Sequence, residues 1–122
     1  MIPYLKGWRT KYPEKLFLMT EYGSDTISGF HTLPSYVWTE DYQCDMVTNH
    51  FEVFDDLRRQ DNSGFVGEMI WNFADFMTQQ TVMRAVGNKK GIFTRNRQPK
   101  ASAKLLRERY WSLSHEDLKK LV

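Results

Sequence analysis

Two short apolar runs limit what this chain can fold into. The first is Leu16-Phe17-Leu18-Met19, bounded by Pro13 and Gly23; the second is Phe65-Val66-Gly67-Glu68-Met69-Ile70-Trp71. Consecutive rather than alternating apolar residues over such short lengths suit strands buried on both faces. Such strands occur in parallel sheets with helices packed on each side. One helical stretch lies between the runs, so they are expected to be parallel and joined by a right-handed crossover. Two parallel strands form a single ladder, and both outer edges then carry unpaired backbone groups. The order helix, strand, helix, strand, helix therefore describes part of an α/β sheet. Its neighbouring strands are expected in a longer precursor or a partner.

The helical stretches follow from periodicity and caps. Residues 1–12 place Leu5, Trp8 and Tyr12 at helical spacing after Pro3, a residue suited to a first turn. Thr39 is a plausible N-cap, followed by Glu40 and Asp41 in a favourable first turn. From there Tyr42, Met46, Val47, His50, Phe51, Phe54 and Leu57 fall on one face, the strongest amphipathic pattern in the chain. It ends near Gln60, before the turn cluster Asp61-Asn62-Ser63-Gly64. Pro99 is expected to open another helix carrying Ala101, Leu105, Leu106 and Tyr110. Residues 114–121 suggest a short final helix with Ser114 as its cap.

Between these elements lie two long loops, 22–39 and 77–98. In parallel α/β folds, loops at the C-terminal ends of strands are where binding and catalytic groups collect. Glu21 stands at the first such end, making it a candidate for chemistry. Glu68 interrupts the second strand, and as an inward-facing barrel carboxylate it would need a partner. From Arg84 to Lys100 the chain holds Arg84, Lys89, Lys90, Arg95, Arg97 and Lys100 and no acidic residue. Gly87 and Gly91 bracket Asn88-Lys89-Lys90, allowing a tight turn that presents those side chains.

Charge and composition narrow the partners. With 17 basic and 15 acidic residues, the net charge of +2 is too small to imply a nucleic-acid or membrane partner for the whole chain. Nucleic-acid binding through the basic loop, with Phe93 and Tyr110 nearby, would show itself by a steep salt dependence. The single cysteine, Cys44, excludes an internal disulfide. No apolar run approaches the roughly 20 residues of a membrane span. Met1-Ile2-Pro3-Tyr4 lacks the regions of a signal peptide, so any export signal is expected outside this chain.

Several blocks together resemble the beta-glucuronidases of glycoside hydrolase family 2. They are Thr20-Glu21-Tyr22-Gly23, Asp25-Thr26-Ile27-Ser28-Gly29, Thr39-Glu40-Asp41-Tyr42-Gln43, Ile70-Trp71-Asn72-Phe73-Ala74-Asp75-Phe76, Gly87-Asn88-Lys89-Lys90-Gly91-Ile92-Phe93-Thr94-Arg95 and Arg97 through Tyr110. The likeness covers nearly all of residues 10–111, and residues 112–122 carry none. It implies a partial (β/α)8 TIM barrel: strand seven, helix seven, strand eight and helix eight. Residues 1–113 are then the C-terminal quarter of the catalytic barrel, and 114–122 a divergent tail.

By that resemblance Glu21 is the catalytic nucleophile. Asn88 and Lys90 bind the C6 carboxylate of a uronic acid, Arg84 lines the sugar pocket and Trp71 floors it. Tyr22, next to the nucleophile, is a further substrate-site candidate, its hydroxyl being the group that would orient Glu21. The chemistry needs no metal and no cofactor. A retaining glycosidase does need a second carboxylate roughly 5–5.5 Å from the first. In the family that acid/base glutamate follows an asparagine, and no Asn-Glu pair occurs in this sequence. The expected substrate is a glucuronide or glycosaminoglycan, with the isolated chain inactive; the alternative is a truncated or pseudo-enzyme chain acting as a binding or assembly module. For a full-length enzyme the resemblance implies a homo-tetramer in lysosomes or secreted.

Overall fold

The computed structural model describes residues 2–120 apart from 83 and 85. Residue 1 of the first expected helix, residues 83 and 85 of the basic loop and residue 121 of the expected final helix lie outside the described residues.

Five elements follow in the order α1 (Ile2–Lys11), β1 (Phe17–Met19), α2 (Glu40–Arg59), β2 (Phe65–Glu68) and α3 (Ser102–Lys120). β1 and β2 pair in parallel as the whole of a two-stranded sheet. The cap of α2 forms as the sequence implies: Thr39 Oγ1 accepts from the Tyr42 N–H at 3.0 Å. Gln60 ends the helix, its N–H returning to the Leu57 carbonyl.

α2 supplies the centre of the core. Phe54 and Leu57 join Leu5 and Tyr22 in one buried cluster, with Phe17, Met19 and Phe65 packed against it. Val47 joins Ile92 and Leu106 in a second. The Phe54 ring stacks on Phe65 at 5.2 Å and meets Tyr22 edge-on at 5.1 Å. The opposite face of the sheet has no such cover among the described residues. Leu16, Leu18, Val66 and Met69 are exposed there, Val66 at 58% against 0% for Phe54. Apolar side chains open on one face of a parallel ladder are what a sheet lacking its neighbours presents.

The structure corrects three local expectations. Glu68 does not point to the uncovered, interior-type face. The register shifts between Phe17 and Leu18, so that Phe65 pairs with Phe17 but Gly67 with Leu18. The extra residue on β2 turns Glu68 toward the helices. There Arg58 Nη1 lies 2.7 Å from Glu68 Oε2, and Arg109 grips both oxygens at 3.1 and 3.0 Å. Second, Pro99 does not open a helix. It bridges to Phe93, and the Lys100 N–H still bonds the Ile92 carbonyl, so α3 begins at Ser102. Third, α3 runs unbroken through position 114 to Lys120. Ser114 Oγ donates back to the Trp111 carbonyl at 2.9 Å, a bond within a helix rather than a cap.

Two stability outcomes follow. Phe54→Ala lowers the unfolding free energy of the chain in urea by about 3–5 kcal/mol, whereas Val66→Ala on the open face changes it by less than about 0.5 kcal/mol. Glu68→Gln costs about 3 kcal/mol by the same measurement, because two guanidinium groups lose their shared carboxylate.

Candidate functional site at the strand ends

Beyond β1 and β2 the two segments stay side by side. The Met69 N–H bonds the Met19 carbonyl at 2.8 Å, and the Trp71 N–H bonds the Tyr22 carbonyl at 2.8 Å. Asn72 then pairs with the basic loop, its N–H to the Lys90 carbonyl at 3.2 Å and its carbonyl from the Ile92 N–H at 3.1 Å. This ladder sets the Glu21 segment, Trp71 and the Lys90 turn next to one another at the C-terminal ends of the strands. Gly23 makes the approach possible: a Cβ there would lie 2.1 Å from the Trp71 carbonyl oxygen.

Glu21 is exposed at this edge. Two carboxylates of the adjoining loops are engaged. Asp25 Oδ1 accepts the Lys89 N–H at 2.9 Å, and its Oδ2 lies 3.9 Å from Arg84 Nη1. Asp75 Oδ1 accepts from Lys100 Nζ at 2.8 Å and from the Gly91 N–H at 3.1 Å. Asp25 and Asp75 are thus both tied to the basic loop or to Lys100, while Glu21 enters no ion pair among the described residues.

The basic turn is rigidly built. Asn88 is buried, and its backbone exchanges both hydrogen bonds with Phe76, at 2.9 and 3.2 Å. Its side-chain Oδ1 accepts the Lys90 N–H at 3.0 Å. The end of the amide that remains is the NH2 group, a donor, which is the polarity a carboxylate ligand requires. Of the two adjacent lysines, Lys89 Nζ lies 3.8 Å from Asp75 Oδ2, while the half-buried Lys90 enters no ion pair among the described residues.

Trp71 stands on the face the helices leave open, its ring edge-on to Phe76 at 6.2 Å. Its peptide bond to Asn72 is cis. Arg84 lines a mostly apolar groove of about 500 Å³ with Asp25, Ile27, Phe30, Trp38 and Val86. Tyr22 stands apart from the other candidates. It is buried against α2, stacked on His50 at 5.3 Å, with its hydroxyl 3.4 Å from Glu68 Oε1. Burial first, then Tyr110 and Glu68 beside it, raise its pKa and keep the hydroxyl protonated. Successive side chains point to opposite faces of an extended segment, so Tyr22 faces the core while Glu21 faces solvent.

The frame under the site is polar, and the hydrophobic pattern does not reveal it. Gln43, on the same face of α2 as Val47, donates to the Ser24 carbonyl at 3.1 Å and accepts from Ser102 Oγ at 2.7 Å. Glu40 accepts from the Gly29 N–H at 2.6 Å and from the Ala101 N–H. Lys100 has no exposed side-chain surface and donates to the carbonyls of Thr26 and Lys89 at 2.9 and 3.0 Å as well as to Asp75. Burial lowers its pKa, and the hydrogen bond to Asp75 opposes that. The one signal in the sequence was position: Glu40 and Gln43 fall in the helical row that leads to Val47 and Phe54.

Comparison with known proteins agrees with this geometry. The family model described as "Glycosyl hydrolases family 2, TIM barrel domain" matches residues 2–115. The beta-glucuronidase of Homo sapiens is 50% identical over 111 residues, covering 91% of this chain and 16% of that protein. That of Rattus norvegicus is 45% identical over the same length. Among solved structures, the Ruminococcus gnavus beta-glucuronidase superposes with a TM-score of 0.79 at 42% identity, over 88% of this chain and 17% of that one. The Dictyoglomus thermophilum enzyme gives 0.77 at 51% identity, over 87% and 17%. The chain spans about one sixth of the length of the curated relatives it matches. A parallel strand pair with its loops gathered at the C-terminal ends, and a family match over nearly its whole length, show that this chain belongs to the TIM-barrel domain of glycosyl hydrolase family 2.

Proposed function

We propose that this chain is the part of a retaining beta-D-glucuronidase that carries strands seven and eight of the catalytic barrel with their helices. It would supply the nucleophile and the sugar-acid recognition turn. The observation that supports the proposal is the backbone ladder from Tyr22 to Trp71 and from Asn72 to Lys90, which brings the Glu21 segment and the Lys90 turn to the same strand ends, with neither side chain in an ion pair among the described residues. Solved structures of the Ruminococcus gnavus enzyme hold uronic isofagomine and D-glucaro 1,5-lactone, and a sugar acid is the ligand class this juxtaposition suits.

In this reading Glu21 attacks the anomeric carbon of a terminal beta-D-glucuronoside and forms a glycosyl-enzyme intermediate. A second carboxylate, from the upstream part of the barrel, protonates the leaving oxygen and then activates water. Lys90 provides a point charge for the C6 carboxylate and the Asn88 NH2 a directional donor. Trp71 offers an aromatic face to the C–H surface of the pyranose, and Arg84 closes the pocket beside Asp25. Neutral sugars are disfavoured because they leave Lys90 desolvated and unmatched. The chain alone has one carboxylate of the pair, so turnover requires the rest of the barrel.

The test is a chimera in which this chain replaces the matching segment of the Dictyoglomus thermophilum enzyme. It is expected to cleave an aryl beta-D-glucuronide; a folded chimera without that activity overturns the reading. Glu21→Gln lowers kcat by about 10⁴-fold or more, as nucleophile removal does elsewhere. Lys90→Met lowers kcat/KM for the glucuronide by about 10- to 100-fold, the effect of one charge-assisted hydrogen bond, and leaves the matching glucoside unaffected.

A further inference from the structure

Lys100 is a buried cation that the proposed chemistry does not use. Its ammonium has three donors and three acceptors, each from a different segment: the Thr26 carbonyl at 2.9 Å, the Lys89 carbonyl at 3.0 Å and Asp75 Oδ1 at 2.8 Å. Thr26 belongs to the loop that follows Glu21, Asp75 to the exit from β2, and Lys89 to the basic turn. The Thr26 N–H also bonds the Lys89 carbonyl, at 3.0 Å, so two donors fix that one oxygen from different directions. Asp25 holds the Lys89 N–H from the other side. The peptide units on both sides of Lys89 are therefore clamped, and Lys90 is the next residue.

We infer that Lys100 is a positioning residue for recognition of the sugar carboxylate: it fixes the Asn88–Lys90 turn so that Lys90, and not Lys89, is presented to the ligand. The inference rests on Lys90 being the carboxylate-binding group. Two effects combine in it. The first is geometric: without Lys100, the Lys89 and Thr26 carbonyls lose a shared donor and the turn is free to shift. The second is electrostatic. Asp75 is buried, and Lys100 neutralises it at contact distance, while Lys89 lies farther off at 3.8 Å. Remove Lys100 and Asp75 draws on the turn's own lysines, pulling charge from the ligand side toward the core. The nucleophile segment is held separately, through the bonds of Met19 and Tyr22 to Met69 and Trp71. Loss of Lys100 therefore acts on the acid group of the sugar more than on its ring.

The experiment compares two inhibitors on the same chimera: D-glucaro 1,5-lactone, which carries the carboxylate, and D-glucono-1,5-lactone, which carries a neutral hydroxymethyl group. Lys100→Met is expected to raise Ki for the acid lactone by about tenfold or more, the scale on which a small misplacement acts, while Ki for the neutral lactone moves less than about twofold. Equal rises for both lactones, or no rise for either, overturn the inference. Asp75→Asn keeps the side-chain shape, loosens the same clamp and removes the buried charge that would draw on Lys89, so it isolates the geometric effect and is expected to shift selectivity in the same direction by less than Lys100→Met. Failure of both variants to fold assigns the pair to stability alone and overturns the inference too. Lys90→Met separates the two levels of argument. If it leaves the selectivity unchanged, the reading of Lys90 fails; if it abolishes selectivity while Lys100→Met does not, only the role of Lys100 fails.

Discussion

Gly23 lies closer against its neighbour, the Trp71 carbonyl, than any other described glycine does, and the rest of the site depends on that approach. A methyl group there would come within 2.1 Å of that oxygen, and real carbon atoms do not approach so closely. With hydrogen in its place, the chain leaving β1 lies flat against the chain leaving β2, and the Trp71 N–H reaches the Tyr22 carbonyl. Alternation does the rest. Tyr22 points into the core, so Glu21 must point out. The same close approach carries on through Asn72 to the basic turn.

Below that point the sheet is two-sided in a revealing way. The helix-facing side is filled by Phe54, Phe65 and Tyr22 and by the ionic cluster of Glu68, Arg58 and Arg109. The other side presents aliphatic residues and Trp71 to solvent. A closed barrel buries that side against its other strands. The physics of the sheet and the family match thus describe the same situation: a wall whose inner surface is designed for company.

Much of this was legible in the sequence, and what was not has identifiable causes. α2 could be read to within a residue at its start because Thr39, Glu40 and Asp41 act locally. The strands could be read from their apolar runs, although hydrogen bonding confines them to Phe17–Met19 and Phe65–Glu68. The side on which Glu68 lies was not legible, since it depends on a one-residue shift against β1 that no pattern within β2 announces. The start of α3 was misread because Pro99 suits a first turn, yet its neighbour Lys100 is committed to a buried bond network. The break before Ser114 was misread because a serine followed by an acid resembles a cap, while the helix simply continues. For the site, position made Glu21 a candidate and charge drew the eye to the Asn88–Lys90 turn, their roles being implied only by the family resemblance, whereas the partners that hold them come from four separate stretches of chain and meet only after folding.

The ladder of bonds from Met19 to Lys90 has a consequence for how such a domain can be divided. Among the described residues, every backbone link between the Glu21 segment and the Asn88–Lys90 turn lies downstream of Pro13. A break in the polypeptide ahead of that proline would leave the Glu21 segment, Trp71 and the Asn88–Lys90 turn bonded in the same piece. The Glu21 segment and the basic turn therefore travel together as one block, whichever chain segments supply the neighbouring strands.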